Sequence, residues 1–251
     1  MIDVAAFVGP WPWRPGGMSA PALAAHLADH GITRALVTPM EGIFWDDPQP
    51  ANENLAEATG TLPLTLVPAL DPTFPSWRRD LERCLDAHGT RAVRIFPGYR
   101  GFPVDASAVL ELLEAAGSRG ITVFVQLRMQ DARMQNRFAQ YPDVAAAAAL
   151  GVASLFPGTR IVLGGARLGE LEAARSQLGR LENVFVETSG IERVGGMHVL
   201  LDMVGAGRIL LGTHAPLFLV RAALLKLEEA ELDENEAKAI KEGNARRLFG
   251  L

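Results

Sequence analysis

Among the five histidines of the chain, His214 stands where an apolar run gives way to a loop, in Arg208-Ile-Leu-Leu-Gly-Thr-His-Ala-Pro-Leu217. An imidazole ordinarily ionises near neutrality, so at such a position it could take or give a proton; it could equally be a hydrogen-bonded space filler. Glu187 closes another apolar run, and a carboxylate there must be paired or wet. It could orient the His214 ring and stabilise its cation, or form an ion pair with Arg94. Arg94 and Arg128 carry planar forks suited to a carboxylate or phosphate group. Gln126 ends a further run, and Trp11 and Trp13 follow the first one, with Trp45 beyond the second. The tryptophans could wall a pocket for an apolar ligand or plug an opening. The candidate set is therefore His214 and Glu187 for catalysis, with Arg94, Gln126, Arg128, Trp11 and Trp13 for binding.

Other chemistry-bearing residues fit plainer roles. His26 and His30 are spaced like a metal pair but lack a glutamate between them and read as surface histidines on a helix. Cys84 lies in a helical pattern from Trp77 and reads as a buried thiol.

Eight short apolar runs must position these groups: Ile2 to Val8, Arg34 to Pro39, Leu64 to Leu70, Arg91 to Phe96, Ile121 to Leu127, Arg160 to Gly164, Val184 to Thr188 and Arg208 to Gly212. Runs without polar alternation suit strands buried on both faces of a parallel sheet. Helical patterns lie between them, for example Ser19 to His30, Trp77 to His88, Ala106 to Arg119 and Leu168 to Leu178. Gly31, Gly60, Gly89, Gly120 and Gly207 read as helix ends before a new strand, and Ser19 as an N-cap. Eight strand-helix alternations without a composition break predict an α/β fold, a single (β/α)8 TIM barrel over residues 1–251. A doubly wound sheet would need a glycine-rich phosphate turn after the first strand, whereas Val8-Gly-Pro-Trp-Pro-Trp-Arg14 is rich in proline and tryptophan. Strand-end groups then include Asp3, Arg14, Thr38, Glu41, Asp71, Tyr99, Asp131 and Arg167 as well.

Composition narrows the partners. The chain has 251 residues, a net charge of -5 and one cysteine. Without a basic cluster, nucleic acid and anionic membrane are not expected ligands. One cysteine excludes an intrachain disulfide and a multi-cysteine zinc site. With no basic leader and no long apolar run, a cytoplasmic protein is expected, with a small-molecule ligand and a homodimer as the assembly allowed.

Three stretches resemble the amidohydrolase-related family of metal-dependent TIM-barrel hydrolases and decarboxylases. Ile2-Asp-Val-Ala-Ala-Phe-Val-Gly9 resembles its Ile-Asp-x-His-x-His-x-Gly. Arg208-Ile-Leu-Leu-Gly-Thr-His-Ala-Pro216 resembles its Arg-Ile-Leu-Phe-Gly-Ser-Asp-x-Pro. Glu242-Gly-Asn-Ala-Arg-Arg-Leu-Phe-Gly-Leu251 resembles its closing Gly-Asn-Ala-x-x-Leu-Phe-x-Leu, and Phe156 to Leu163 is similar to the approach to its sixth strand. The resemblance implies an amidohydrolase-like barrel and a hydrolase. It also marks departures: Ala5 and Phe7 replace the paired histidines of strand one, Gln126 that of strand five, Gly165 (or Ala166) that of strand six, and His214 the aspartate of strand eight. No metal or other cofactor is therefore expected. The expected function is metal-independent hydrolysis of a small anionic carbonyl compound such as a lactone. The alternative is a catalytically silent barrel that binds a ligand or partner.

Overall fold

Valine, isoleucine, leucine and phenylalanine dominate the eight runs, and each run forms a strand. The computed structural model describes residues 1–12 and 15–251, so the expectations placed on Trp13 and Arg14 fall outside the described residues. The strands are β1 (Ile2–Val8), β2 (Arg34–Pro39), β3 (Leu64–Leu66), β4 (Ala92–Ile95), β5 (Thr122–Gln126), β6 (Ile161–Gly164), β7 (Val184–Glu187) and β8 (Ile209–Leu210). All pair in parallel, as β1-β2-β3 and β4-β5-β6-β7-β8. Two seams close these into one (β/α)8 barrel. Arg94 N–H donates to Pro68 O and accepts from Leu70 N–H through its own carbonyl, joining β3 to β4. Val4 N–H donates to Leu211 O and His214 N–H to Ala5 O, joining β1 to β8.

Several runs are longer than their strands. Beyond β3, Pro68 has no N–H to offer a ladder. Beyond β8, Leu211 N–H is taken by Ile240 O and Gly212 N–H by the Thr188 hydroxyl. The glycine expectation holds for Gly31, Gly60, Gly89 and Gly120, each with positive φ. Gly207 is a correction: it lies within the 3-10 turn Ala206–Arg208, and Gly205, at φ 71°, ends the preceding helix. Ser19 caps its helix by accepting from Ala22 N–H.

The barrel interior is layered. Val4, Leu36, Val67, Ala92, Phe124, Val162, Phe185 and Leu210 form an apolar floor with Ala245, Leu248 and Phe249 of the last helix, Asn244–Phe249. Phe249 stacks on Phe124 with centroids 5.7 Å apart. Above the floor come buried polar side chains: Asp3, Arg94, Gln126 and Glu187. Phe7, Trp11, Met40, Ile43, Ala69, Phe96 and Met129 then form an apolar lid at the strands' C-terminal ends. No helix among the described residues is long and apolar enough to cross a membrane.

Candidate active site at the barrel mouth

Beside the lid, on the β5 to β8 side, lies a pocket of about 250 Å³ lined by Arg128, Gln130, Met134, Gly165, His214 and Phe218 among others. His214 forms part of its wall. The ring sits between Phe7 (centroids 4.8 Å) and Phe218 (4.5 Å, stacked), and only 1% of the residue is exposed. Nε2 lies 2.8 Å from Met129 O, so the tautomer protonated at Nε2 donates there. Nδ1 is left as a buried acceptor with no protein partner. The backbone adopts φ 59°, a left-handed conformation uncommon for a side chain of this size. Burial, chiefly, with Arg94 and Lys226 nearby, drives the imidazole down to about 3 from the usual near-neutral value, and the ring is neutral at working pH.

Glu187 does not serve His214. Its carboxylate accepts from Gly165 N–H, Ser189 N–H (2.6 Å) and the Ser189 hydroxyl (2.7 Å), which caps the turn Thr188–Gly190. The expectation that Glu187 orients the imidazole or makes a contact ion pair with Arg94 is corrected accordingly. Two groups of Ser189 just after the strand end and the Gly165 N–H of the neighbouring strand's end satisfy it first.

Arg94 is likewise below the mouth. It has no exposed surface, and its guanidinium lies between the rings of Phe7 (4.8 Å) and Phe124 (4.5 Å). It donates to Gln126 Oε1 at 3.0 Å and to Val4 O at 3.0 Å. Gln126 in turn donates to Arg128 O. Neither side chain lines the pocket. Arg128 does line it, but each guanidinium nitrogen is engaged: Nε with Asp143 (2.9 Å), Nη1 with Gly165 O and Nη2 with Glu170. Arg167 bridges Asp131 (3.1 Å) and Asp143 (3.4 Å) in the same rim network. Trp11 is 4% exposed and packs edge-on against Phe44 and Tyr99; it belongs to the lid, not to a pocket wall. Asp3 holds the β1–β8 seam, accepting from Ala5 N–H (2.9 Å), Thr213 N–H (3.1 Å) and the Thr213 hydroxyl.

The sequence reading passed over Gln130. It is 2% exposed, its Oε1 has no protein partner, and it lines the His214 pocket. A signal was available: Gln126, Arg128 and Gln130 continue the strand's two-residue alternation beyond the end of β5.

The amidohydrolase family model Amidohydro_2 matches residues 46–251. The chain belongs to the amidohydrolase family. No curated protein matches its sequence. Solved structures with the same fold include the 5-carboxyvanillate decarboxylase of Sphingomonas paucimobilis, 17% identical, covering 100% of this chain and 98% of the other at a TM-score of 0.81. A dihydroxybenzoic acid decarboxylase of Polaromonas sp. JS666, solved with manganese and 2-nitroresorcinol, is 21% identical over 100% and 96% of the chains, with a TM-score of 0.79. A protein assigned as a 2-pyrone-4,6-dicarboxylic acid hydrolase, from Pseudomonas putida, is 18% identical over 99% and 97%, with a TM-score of 0.73.

Among the described residues, the positions aligned with the family's ligands do not fit a divalent metal. A catalytic zinc takes about three protein N, S or O ligands at ~2 Å. The aligned positions present a methyl group at Ala5, a phenyl ring at Phe7, hydrogen at Gly165, and a Gln126 already bonded to Arg94 and Arg128. Among the described residues no three His, Cys, Asp or Glu side chains are grouped to hold an ion. The Arg94 guanidinium lies against both Phe7 and Gln126.

Proposed function

We propose that this amidohydrolase works at the His214 pocket without the divalent metal, as a divergent hydrolase of a small carbonyl compound, with lactones as the substrate class. One observation carries the reading: His214 bears two separate costs at one position. A buried acceptor without a protein partner costs about 1–3 kcal/mol, and a left-handed backbone at a non-glycine residue about 1 kcal/mol or more. Costs concentrated on one residue beside a pocket are a mark of function rather than packing.

With Nε2–H committed to Met129 O, the Nδ1 lone pair is available to a water. Gln130 Oε1 offers a second unpartnered acceptor beside the same pocket, so a water held by the two can present its lone pair to the lactone carbonyl; as the acyl–oxygen bond breaks, the proton shed by the water passes by way of Nδ1 to the leaving ring oxygen, giving the hydroxy acid. The low proton affinity of His214 makes it an orienting acceptor more than a strong base, and slow turnover is expected. Because Arg94 and Arg128 are consumed internally, the substrate needs no anionic group. A second reading, a silent barrel that binds a ligand, is favoured by the apolar lid over the axis and by the same low proton affinity.

A panel of uncharged lactones assayed for ring opening tests this with wild type, His214→Asn and Gln130→Leu. Asparagine tolerates the left-handed backbone. Hydrolysis that both variants reduce at unchanged melting temperature supports the proposal. Equal hydrolysis in His214→Asn rejects it. Lactone-induced stabilisation without turnover selects the binding reading.

A further inference from the structure

Among the described residues Arg94 heads the fully buried side chains by size, and it is the cation of the buried polar layer that also holds Asp3 and Glu187. We propose that its guanidinium is the barrel's resident cation, standing in place and in charge for the family's divalent metal. The placement comes from its contacts. It touches Phe7 and Gln126, two positions where the family pattern puts metal ligands, and it also stacks on Phe124 and donates to Val4 O. The charge comes from its surroundings. Asp3 and Glu187 have no exposed surface; burial lowers the guanidinium to about 10, Glu187 and then Asp3 oppose that loss, and the group stays charged at neutral pH. No carboxylate among the described residues makes a contact ion pair with it. The two anions act at longer range through a low-dielectric interior, where such interactions weaken slowly with distance. Removing the guanidinium would leave two buried carboxylates with local N–H and O–H partners but no central cation. The aromatic faces supply what water would have given the cation. The same guanidinium repels any divalent ion entering from the mouth.

This inference stands whether or not the pocket hydrolyses anything, and its test does not use activity. Arg94→Met keeps length and removes charge. Asp3→Asn keeps acceptance from Ala5 N–H and Thr213 N–H through Oδ1, while its amide can donate to the Thr213 hydroxyl oxygen. The melting temperatures of wild type, both single variants and the double variant form a cycle at neutral pH. Arg94→Met is expected to fall by roughly 10 °C, and adding Asp3→Asn is expected to restore part of that loss. Manganese or zinc added to wild type should leave the melting temperature unchanged. If Arg94→Met does not fold, recovery of folding in the double variant or in Arg94→Lys supports the proposal. It is overturned if Arg94→Met is as stable as wild type, if the two losses simply add, if neither the double variant nor Arg94→Lys folds, or if wild type takes up one metal per chain.

Discussion

His214 shows how far an environment can move an ordinary side chain. An isolated histidine suggests near-neutral titration, but this ring is wrapped by Phe7 and Phe218 and faces the Arg94 and Lys226 charges, so burial first and like charge second hold it neutral. The folded value of about 3 lies below the 6.5 of an imidazole in the unfolded chain. Its contribution to stability is therefore present above pH 6.5 and is lost as the pH falls toward 3, because the unfolded chain takes the proton first. Asp3 does the reverse. Burial, against the hydrogen bonds from Thr213 and Ala5, raises its carboxyl from 3.8 to about 6. Its contribution is present below 3.8 and is lost as the pH rises through about 6. Between about pH 6.5 and 4.5 each effect is on the order of 2 kcal/mol, with opposite sign. Denaturant midpoints across that window should separate them. Relative to wild type, His214→Asn should gain stability on acidification, and Asp3→Asn should lose it. Parallel curves for all three proteins would contradict both assignments. Any activity should likewise show no neutral-pH limb from His214.

At the scale of elements, β6 explains why a histidine ligand has no room. A Cβ on Gly164 would stand 2.4 Å from Gln126 Oε1, and one on Gly165, at φ 67°, 2.8 Å from Arg128 O. The Gly-Gly end of the strand lets the Gln126 and Arg128 chains cross it. Gly165→Ala should cost about 1–3 kcal/mol through backbone strain and that contact, read as a lowered urea midpoint; an unchanged midpoint would show that the crossing can relax. The closing motif has a reason that reaches across the chain. Asn244 Nδ2 donates to Ala206 O and Ile209 O, both at 2.7 Å, and ties the last helix to β8. Asn244→Ala should lose about 1–3 kcal/mol by orphaning these carbonyls, again as a midpoint shift. Elements of this kind were legible in the sequence. Runs such as Val123 to Val125 are buried on both faces and carry no polar alternation, and Ser19 and Gly89 act within a turn of where they stand. The site was less legible because its decisive facts are long-range. Whether Arg94 faces a ligand or lies between Phe7 and Phe124 depends on residues far off in the chain. Glu187 was read as looking across the barrel to His214 or Arg94, yet its donors are Ser189, two residues away, and Gly165 on the neighbouring strand end.

Over the whole molecule, the three layers share one property: each is completed by the chain itself. The floor is closed by Phe249 from the last helix, the polar layer carries Arg94 as its own cation, and the lid is filled by Phe7 and Trp11 where a metal's ligands and its bound water would need space. In a metal-dependent barrel, binding of the ion to the native state adds folding free energy in proportion to RT ln(1 + [L]/Kd), about 4 kcal/mol at a thousandfold excess over Kd, and chelation removes it. No such increment is expected here. Purified protein dialysed against a chelator should keep its melting temperature within about 1 °C, and refilling with manganese or zinc should not raise it. Elemental analysis run on the same samples makes the comparison decisive. A drop of several degrees on chelation, reversed by one equivalent of metal, would mean that ligands outside the aligned strand ends have been recruited, and would return the chain to the metal-dependent members of its family.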